Sequence, residues 1–350
     1  MRVSAIAALV LLLSGSAVSQ STSTNPDTSS FDLDGTARIT RVVPMPTTVS
    51  PEAQKWLKEI EQETTMPTSN LSERRARTEQ WQKSQLAEAK RLFPVNIEPK
   101  DIAGVHTDVV SPLITPAQNL KRVLINLHGG GFNSDSGSLI EGIPICNLAK
   151  VKVVSVYYRL APENPFPAAV DDVVAVYKEL LKTYQPDHIG IFGTSAGGIL
   201  TAEVTVRLKQ LSLPMPGALG LFTMLADFSR TGDSRQLFSL NGFSGGIAPS
   251  SPNRGPDDEY VGKTDPRDPV LSPLFADLHG FPPSLLVTGT RDALLSDTSI
   301  FHRALLKAGV DAQLVVFEAM PHAFWYHFQF AETQEALELM AKFFDEKLGK

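Results

Sequence analysis

Ser195 stands in the run Gly193-Thr194-Ser195-Ala196-Gly197-Gly198. The residues before it, Ile189–Gly193, read as a short buried strand, and those after it, Ala196–Leu211, as a helix. A serine on a tight strand-to-helix turn has strained backbone angles that only small neighbours such as Gly193 and Gly197 allow. Such a turn lifts the hydroxyl clear of the sheet and sets it at the positive end of a helix, which is the place for a nucleophile. The same residues could form a plain Gly-rich turn with an N-capping serine. A second run, His128-Gly129-Gly130-Gly131-Phe132, weighs against that plainer reading. It follows the earlier strand Arg122–His128, and backbone N–H groups in a Gly-rich loop can be aimed at a developing oxyanion without obstruction. The loop and the serine turn, in this order, match the two halves of an oxyanion hole. His128 reads as an orienting residue of that loop rather than as a base.

A serine hydroxyl is not ionised near neutral pH and needs a base, and the base needs an acid to fix its tautomer. For a nucleophile on this kind of turn the partners follow in chain order serine, acid, histidine. Asp292 sits just past the strand Ser284–Gly289. Its rival, Asp297, reads as the cap of the following helix. His322 lies on the loop after the last strand, Gln313–Glu318, with His327 as the runner-up. His106, His188, His279 and His302 lie before strands or on helices and read as structural or surface residues.

These residues require a scaffold that alternates strands and helices. Strand-like runs cover Ile102–Val105, His106–Ser111, Arg122–His128, Lys152–Tyr158, Ile189–Gly193, Ala218–Leu225, Ser284–Gly289 and Gln313–Glu318. Several are nearly continuous Val, Ile and Leu, as strands buried on both faces are. Helical runs cover Ala168–Tyr184, Ala196–Leu211, Asp297–Ala308 and Ala331–Leu348. This order predicts a mostly parallel sheet with right-handed crossovers and helices on both faces. Two polar-rich helical stretches, Pro51–Gln62 and Leu71–Phe93, precede it as a helical add-on. Residues 226–283 break the rhythm with Gly, Pro, Ser and Asp, and an insertion of that length is usually functional, often a lid.

His128–Phe132, Tyr158-Arg159-Leu160-Ala161-Pro162-Glu163, Gly193–Gly198, Asp292-Ala293-Leu294 and Pro321-His322-Ala323-Phe324 together resemble the marker set of the hormone-sensitive-lipase-like branch of the α/β-hydrolases. The resemblance covers roughly residues 95–350. It implies an α/β-hydrolase fold with an eight-stranded, mostly parallel sheet, helices on both faces and a helical cap. The cap would come from N-terminal helices (residues 35–95) and the 226–283 insertion, with the catalytic domain over 96–350. It implies Ser195, Asp292 and His322 as a triad and the amides of Gly129, Gly130, Gly131 and Ala196 as the oxyanion hole. The Tyr158–Glu163 segment would brace the loop near the nucleophile. Thr194 departs from the commonest pattern, which carries Asp before the serine. The implied reaction is hydrolysis of short- to medium-chain carboxylic esters through an acyl-enzyme, with no metal or organic cofactor. A lactone, a cyclic ester, would be turned over by the same chemistry. An amidase or peptidase, or a non-catalytic ligand-binding relative, are further alternatives. Family members are often homodimers, and nothing in this sequence argues for or against that assembly. Aromatic candidates for the cap and pocket are Trp56, Trp81, Phe132, Phe243, Phe324 and Trp325, each of which could equally be core.

Composition and termini narrow the setting. Hydrophobic residues make up 42% of the 350 and charged residues 20%, which excludes wholesale disorder. A net charge of −6 gives no basic field for a nucleic-acid partner. Cys146 is the one cysteine, so an intramolecular disulfide framework and a Cys-built metal site are both excluded. Residues 1–19 carry Arg2, an apolar run Ala5–Leu13 and small residues ending at Ala17 and Ser19, the pattern of a secretory signal peptide cleaved near Ser19. The run is too short to span a bilayer, so stable membrane insertion is not expected and a secreted or periplasmic location is. A Ser/Thr-rich stretch over residues 20–34 reads as a flexible linker. Asn70-Leu71-Ser72 is a glycosylation sequon in a eukaryotic source.

Overall fold

A computed structural model describes residues 27–60, 70–238, 242–243 and 257–349. The expected leader over residues 1–19, its expected cleavage site and the start of the expected linker lie outside these residues. The chain divides at Met45 into two units, each described by itself.

The first unit holds an antiparallel pair, β1 (Thr28–Phe31) and β2 (Ala37–Thr40), in register Phe31↔Ala37 to Thr28↔Thr40. An Asp34-Gly35 turn with Gly35 at φ +88° closes it, and Arg38 pairs with Asp32 at 2.8 Å. Strand therefore replaces part of the expected linker and the first residues of the expected helical cap. The turn signal is there in Asp-Gly, but polar flanks hide the strands.

The second unit opens with α1 (Pro51–Ile60) and α2 (Leu71–Leu92). Ala53 and Leu57, one turn apart, are buried on α1. Asn70 caps α2 by accepting from Glu73 N at 2.9 Å. There follow β3 (Val95–Ile102), β4 (Val105–Pro112), β5 (Val123–Leu127), α3 (Ser138–Ala149), β6 (Lys152–Val156), α4 (Ala168–Leu180), β7 (Ile189–Thr194), α5 (Ala196–Gln210), β8 (Ala218–Phe222), α6 (Ser234–Leu237), α7 (Asp257–Val261), β9 (Ser284–Gly289), α8 (Leu295–Lys307), β10 (Ala312–Phe317) and α9 (Ala331–Lys347).

Three expectations need correction. The first two strands are not 102–105 and 106–111 but a hairpin, β3–β4, turned by Ala103 and Gly104, both at positive φ. That pair is a two-residue turn of the hairpin kind, and it falls inside the expected strand 102–105. The helix α3 was not expected, because Gly142 and Pro144 interrupt its pattern, yet most of its residues are buried. Asp297 does not cap α8. It lies inside the first turn, and burial pushes its carboxyl up to about 6.

The sheet has eight strands in the order β10-β9-β8-β7-β5-β6-β4-β3. β3–β4 and β4–β6 are antiparallel and all other neighbours parallel. From β5 the chain passes to β6 on one side and then returns to β7 on the other. The crevice outside the carboxyl ends of β5 and β7 is therefore the switch point at which open α/β sheets place their ligands. Every residue of β5, β7, β8 and β9 is buried, as a central sheet covered on both faces demands.

Candidate active site

The register of the sheet sets the candidate residues in a row. Leu127 pairs with Gly193, Thr194 with Phe222, and Gly289 with Phe317. The loops that follow these strand ends carry His128–Phe132, Ser195, Thr223, Asp292 and His322.

Ser195 is the turn residue between β7 and α5, at φ 57° and ψ −121°. A non-glycine residue here is strained, and the surroundings hold it there. Its N–H donates to Phe222 O at 2.9 Å, and its own C=O accepts from Ile199 N at 3.0 Å. The glycines of the turn are required by close approach. A Cβ on Gly197 would lie 1.8 Å from Leu127 O, and one on Gly193 would lie 2.2 Å from the same atom. The turn is thus packed against the end of β5, and the loop that follows β5 lies beside the serine. A Cβ on Gly129 would sit 3.4 Å from Ser195 Cβ.

That loop is held in the left-handed region at Gly130 (φ 109°), Gly131 (φ 61°) and Phe132 (φ 61°). Among the described residues the N–H groups of Gly130, Gly131 and Ala196 donate to no protein acceptor. The loop is braced from three sides. The His128 ring stacks on Tyr158 at 4.1 Å, and the Tyr158 hydroxyl donates to His128 O at 2.7 Å. Ala161 N donates to Phe132 O at 2.9 Å. Phe132 stacks face to face on Tyr260 of α7, 3.5 Å between centroids. The Tyr260 hydroxyl in turn meets the buried carboxyl of Glu203, which burial pushes well above its usual range.

Asp292 is fully buried just after β9. Its Oδ1 lies 3.0 Å from His322 Nδ1 and accepts from Leu294 N at 2.8 Å. Its Oδ2 accepts from Thr288 Oγ1 at 3.0 Å and from Thr223 Oγ1. Held this way, the His322 ring turns its Nε2 away from the acid. His322 keeps an 11% exposed side chain. Ser195 backbone and His322 are tied through adjacent residues, Phe222 to the serine and Thr223 to the histidine.

The remaining candidates separate cleanly. His327 is packed between Trp56, at 4.8 Å, and Phe330, at 5.2 Å, and burial lowers it to about 4. It has no acid partner among the described residues. Phe132, Phe324 and Trp325 are core residues, and Trp81 packs on Tyr326 at 5.6 Å. Phe243 is 38% exposed, with the Arg291 guanidinium over its ring.

Sequence reasoning did not find Thr223, Thr288 or Arg75. Arg75 reaches from α2 to three places at once. It donates to Asn133 O at 2.6 Å and to Ala161 O at 3.0 Å, and it makes a two-toothed pair with Glu163 at 2.7 and 2.8 Å. Nothing in a polar helix distinguishes one such arginine from its neighbours before the fold is known.

Comparison with known proteins identifies the fold and the family. A family model described as alpha/beta hydrolase fold matches residues 124–326. An acetyl-hydrolase of Streptomyces hygroscopicus is 30% identical over 263 residues, 73% of this chain and 86% of that protein. The crystal structure of an esterase E25 superposes with a TM-score of 0.77 at 33% identity, covering 89% of this chain and 98% of that one. An esterase from the bacterial hormone-sensitive lipase family superposes with a TM-score of 0.70 at 29% identity, covering 86% and 99%. The chain belongs to the α/β-hydrolase fold family and, within it, to the hormone-sensitive-lipase-like carboxylesterases.

Proposed function

We propose that this enzyme hydrolyses carboxylic esters of short to medium acyl chain with Ser195 as nucleophile, His322 as base and Asp292 as the acid that orients it. The observation that carries the reading is the arrangement Asp292 Oδ1–His322 Nδ1 at 3.0 Å on the loops beside a strained Ser195. Ser195 Oγ attacks the ester carbonyl carbon while His322 Nε2 takes its proton. The carbonyl oxygen becomes an oxyanion held by the N–H groups of Gly130, Gly131 and Ala196, with Gly129 shaping the loop. Buried Asp292 stabilises the imidazolium. His322 then gives its proton to the departing alkoxide. Water, deprotonated by His322, attacks the acyl-enzyme, and the collapse of the second tetrahedral intermediate returns the proton to Ser195. The short-chain preference is supported by the acetyl-hydrolase relative.

Ser195→Ala is the test. It should remove ester hydrolysis by a factor of about 10³ or more while leaving the fold intact, measured with p-nitrophenyl acetate. Retention of most of the turnover would end the assignment. An acyl-length series that also includes lactones reads out the preference, and a maximum at long chains would contradict it. The leader over residues 1–19 supports export with cleavage near Ser19, which the mass of the mature N-terminus tests.

A further inference from the structure

Behind the serine turn the core holds a carboxylate that this mechanism does not use. Glu141 lies on α3 and is 3% exposed. Its Oε2 accepts from Asn126 Nδ2 at 3.0 Å and its Oε1 from the Tyr326 hydroxyl at 2.5 Å. The side chains of Thr194 and Trp325 lie close to the same carboxyl. Trp325 Nε1 also donates to Thr194 Oγ1 at 3.1 Å. Burial pushes the Glu141 carboxyl up to about 7 against the pull of these donors.

Where the partners come from matters more than their number. Asn126 is on β5, two residues before His128 and the oxyanion loop. Thr194 immediately precedes Ser195. Trp325 and Tyr326 close the turn that begins at His322. The strand end before the oxyanion loop and the His322 turn therefore meet on one carboxyl through Asn126 and Tyr326, and the serine turn joins them through the Trp325–Thr194 bond. Asn126 is itself oriented, because its Oδ1 accepts from Ser155 Oγ at 3.3 Å, which leaves Nδ2 for Glu141. A buried acid is costly, and an apolar side chain of similar volume would serve packing as well or better. Its use here points to a need for fixed directions rather than for volume.

We propose that Glu141 is a positioning residue for the ester hydrolysis, a hub that fixes the serine turn, the oxyanion loop and the His322 loop relative to one another. The proposal rests on the triad reading above. Asn126 and Tyr326 both bring hydrogens to the carboxyl, so it works as an acceptor. An amide of the same shape turns an N–H group toward one of those donors and loosens that segment.

The test uses the full chain with Glu141→Gln, Thr194→Val and Tyr326→Phe. Reactive serine is titrated with a p-nitrophenyl phosphonate, and kcat and KM for p-nitrophenyl acetate are expressed per titrated site. Glu141→Gln is expected to lower kcat about tenfold or more with KM within about twofold, because sub-ångström misplacement acts on the transition state. Thr194→Val and Tyr326→Phe should each lower kcat several-fold. The Glu141→Gln/Thr194→Val double variant should fall short of the product of the singles, as residues acting as one unit do. An unchanged kcat per titrated serine in Glu141→Gln, with only the titratable fraction or the Tm reduced, overturns the proposal and makes Glu141 a packing residue. If Glu141→Gln does not fold, the other two variants decide, and wild-type kcat in both overturns it. A wild-type chain that turns over no ester sinks the functional reading and this one with it. An active wild type with unaffected variants sinks this one alone.

Discussion

Thr223 Oγ1 lies 3.1 Å from His322 Nδ1 and donates its own hydrogen to Asp292 Oδ2. The hydroxyl thus closes a triangle with Asp292 and His322. Thr223 holds φ at +42°, an outlier for a β-branched residue, and strain of this kind collects where a side chain must be aimed. Thr223→Val keeps the shape and removes the hydroxyl. Asp292 Oδ2 still has Thr288, and Oδ1 still has Leu294 N. The loss is therefore one hydrogen bond to a charged group, about 1.5–3 kcal/mol. Expressed in the transition state, that lowers kcat by roughly 10- to 100-fold with KM little changed. Steady-state kinetics on p-nitrophenyl acetate check it, and an unaltered kcat would remove Thr223 from the site.

The Arg75–Glu163 pair carries a pH signature. Hydrogen bonding to Arg75 lowers the Glu163 carboxyl from 4.5 to about 2. A carboxyl depressed in the folded state adds stability above its unfolded value and loses it as pH falls through the folded one. Glu163→Gln should therefore lower Tm relative to wild type at neutral pH. The gap should close between about pH 4.5 and pH 2, which thermal unfolding across that range measures. A gap that persists at the acid end would show that the pair's charge is not its source.

His327 acts in the same direction over a higher pH window. Burial lowers it from 6.5 to about 4, so between those values the unfolded chain binds the proton and the folded chain does not. Stability then rises with pH across that window and is lost as pH falls through it. The full effect is on the order of 3 kcal/mol. His327→Phe keeps the ring between Trp56 and Phe330 and should flatten the dependence of unfolding free energy on pH from 6.5 down to 4. An equally steep dependence in the variant would assign it to other groups.

Gly197 tests the packing of the serine turn. A methyl group there meets Leu127 O at 1.8 Å and His128 O at 2.8 Å, both backbone. Gly197→Ala must push the helix off the end of β5, at a cost of about 3 kcal/mol or more. Gly131→Ala meets nothing within 4 Å and pays only for φ +61°, about 1–2 kcal/mol. Denaturant unfolding of the two variants should separate them clearly. Equal stability would mean that β5 and α5 are not in the contact described.

Much of this was legible before the fold was known, for a physical reason. Central parallel strands are short apolar runs, and the residues just past them stand out by type: Gly-rich after β5, small around Ser195, acidic after β9, His322 after β10. What connects them was not legible. Thr223 and His322 are 99 residues apart in the chain, Arg75 and Glu163 88, Glu141 and Tyr326 185. Such hydrogen bonds follow from three-dimensional placement and leave no local pattern. Glu141 was hidden twice, because Gly142 and Pro144 also masked the helix that carries it. Trp325 and His327 show the converse. Both looked available for a pocket or a triad, and the core claimed one and an aromatic cluster the other.

Tyr260 gives the insertion between β8 and β9 a meaning for enzyme engineering. Its ring is the floor on which Phe132 rests, and its hydroxyl is fastened to Glu203 on the helix that follows Ser195. The insertion is therefore not an exchangeable cover. A loop grafted from a relative to alter substrate choice would remove a support of the His128–Phe132 loop unless it restored an aromatic ring at that place. Graft and scaffold would have to be chosen as a matched pair, with Phe132, Tyr260 and Glu203 transplanted together.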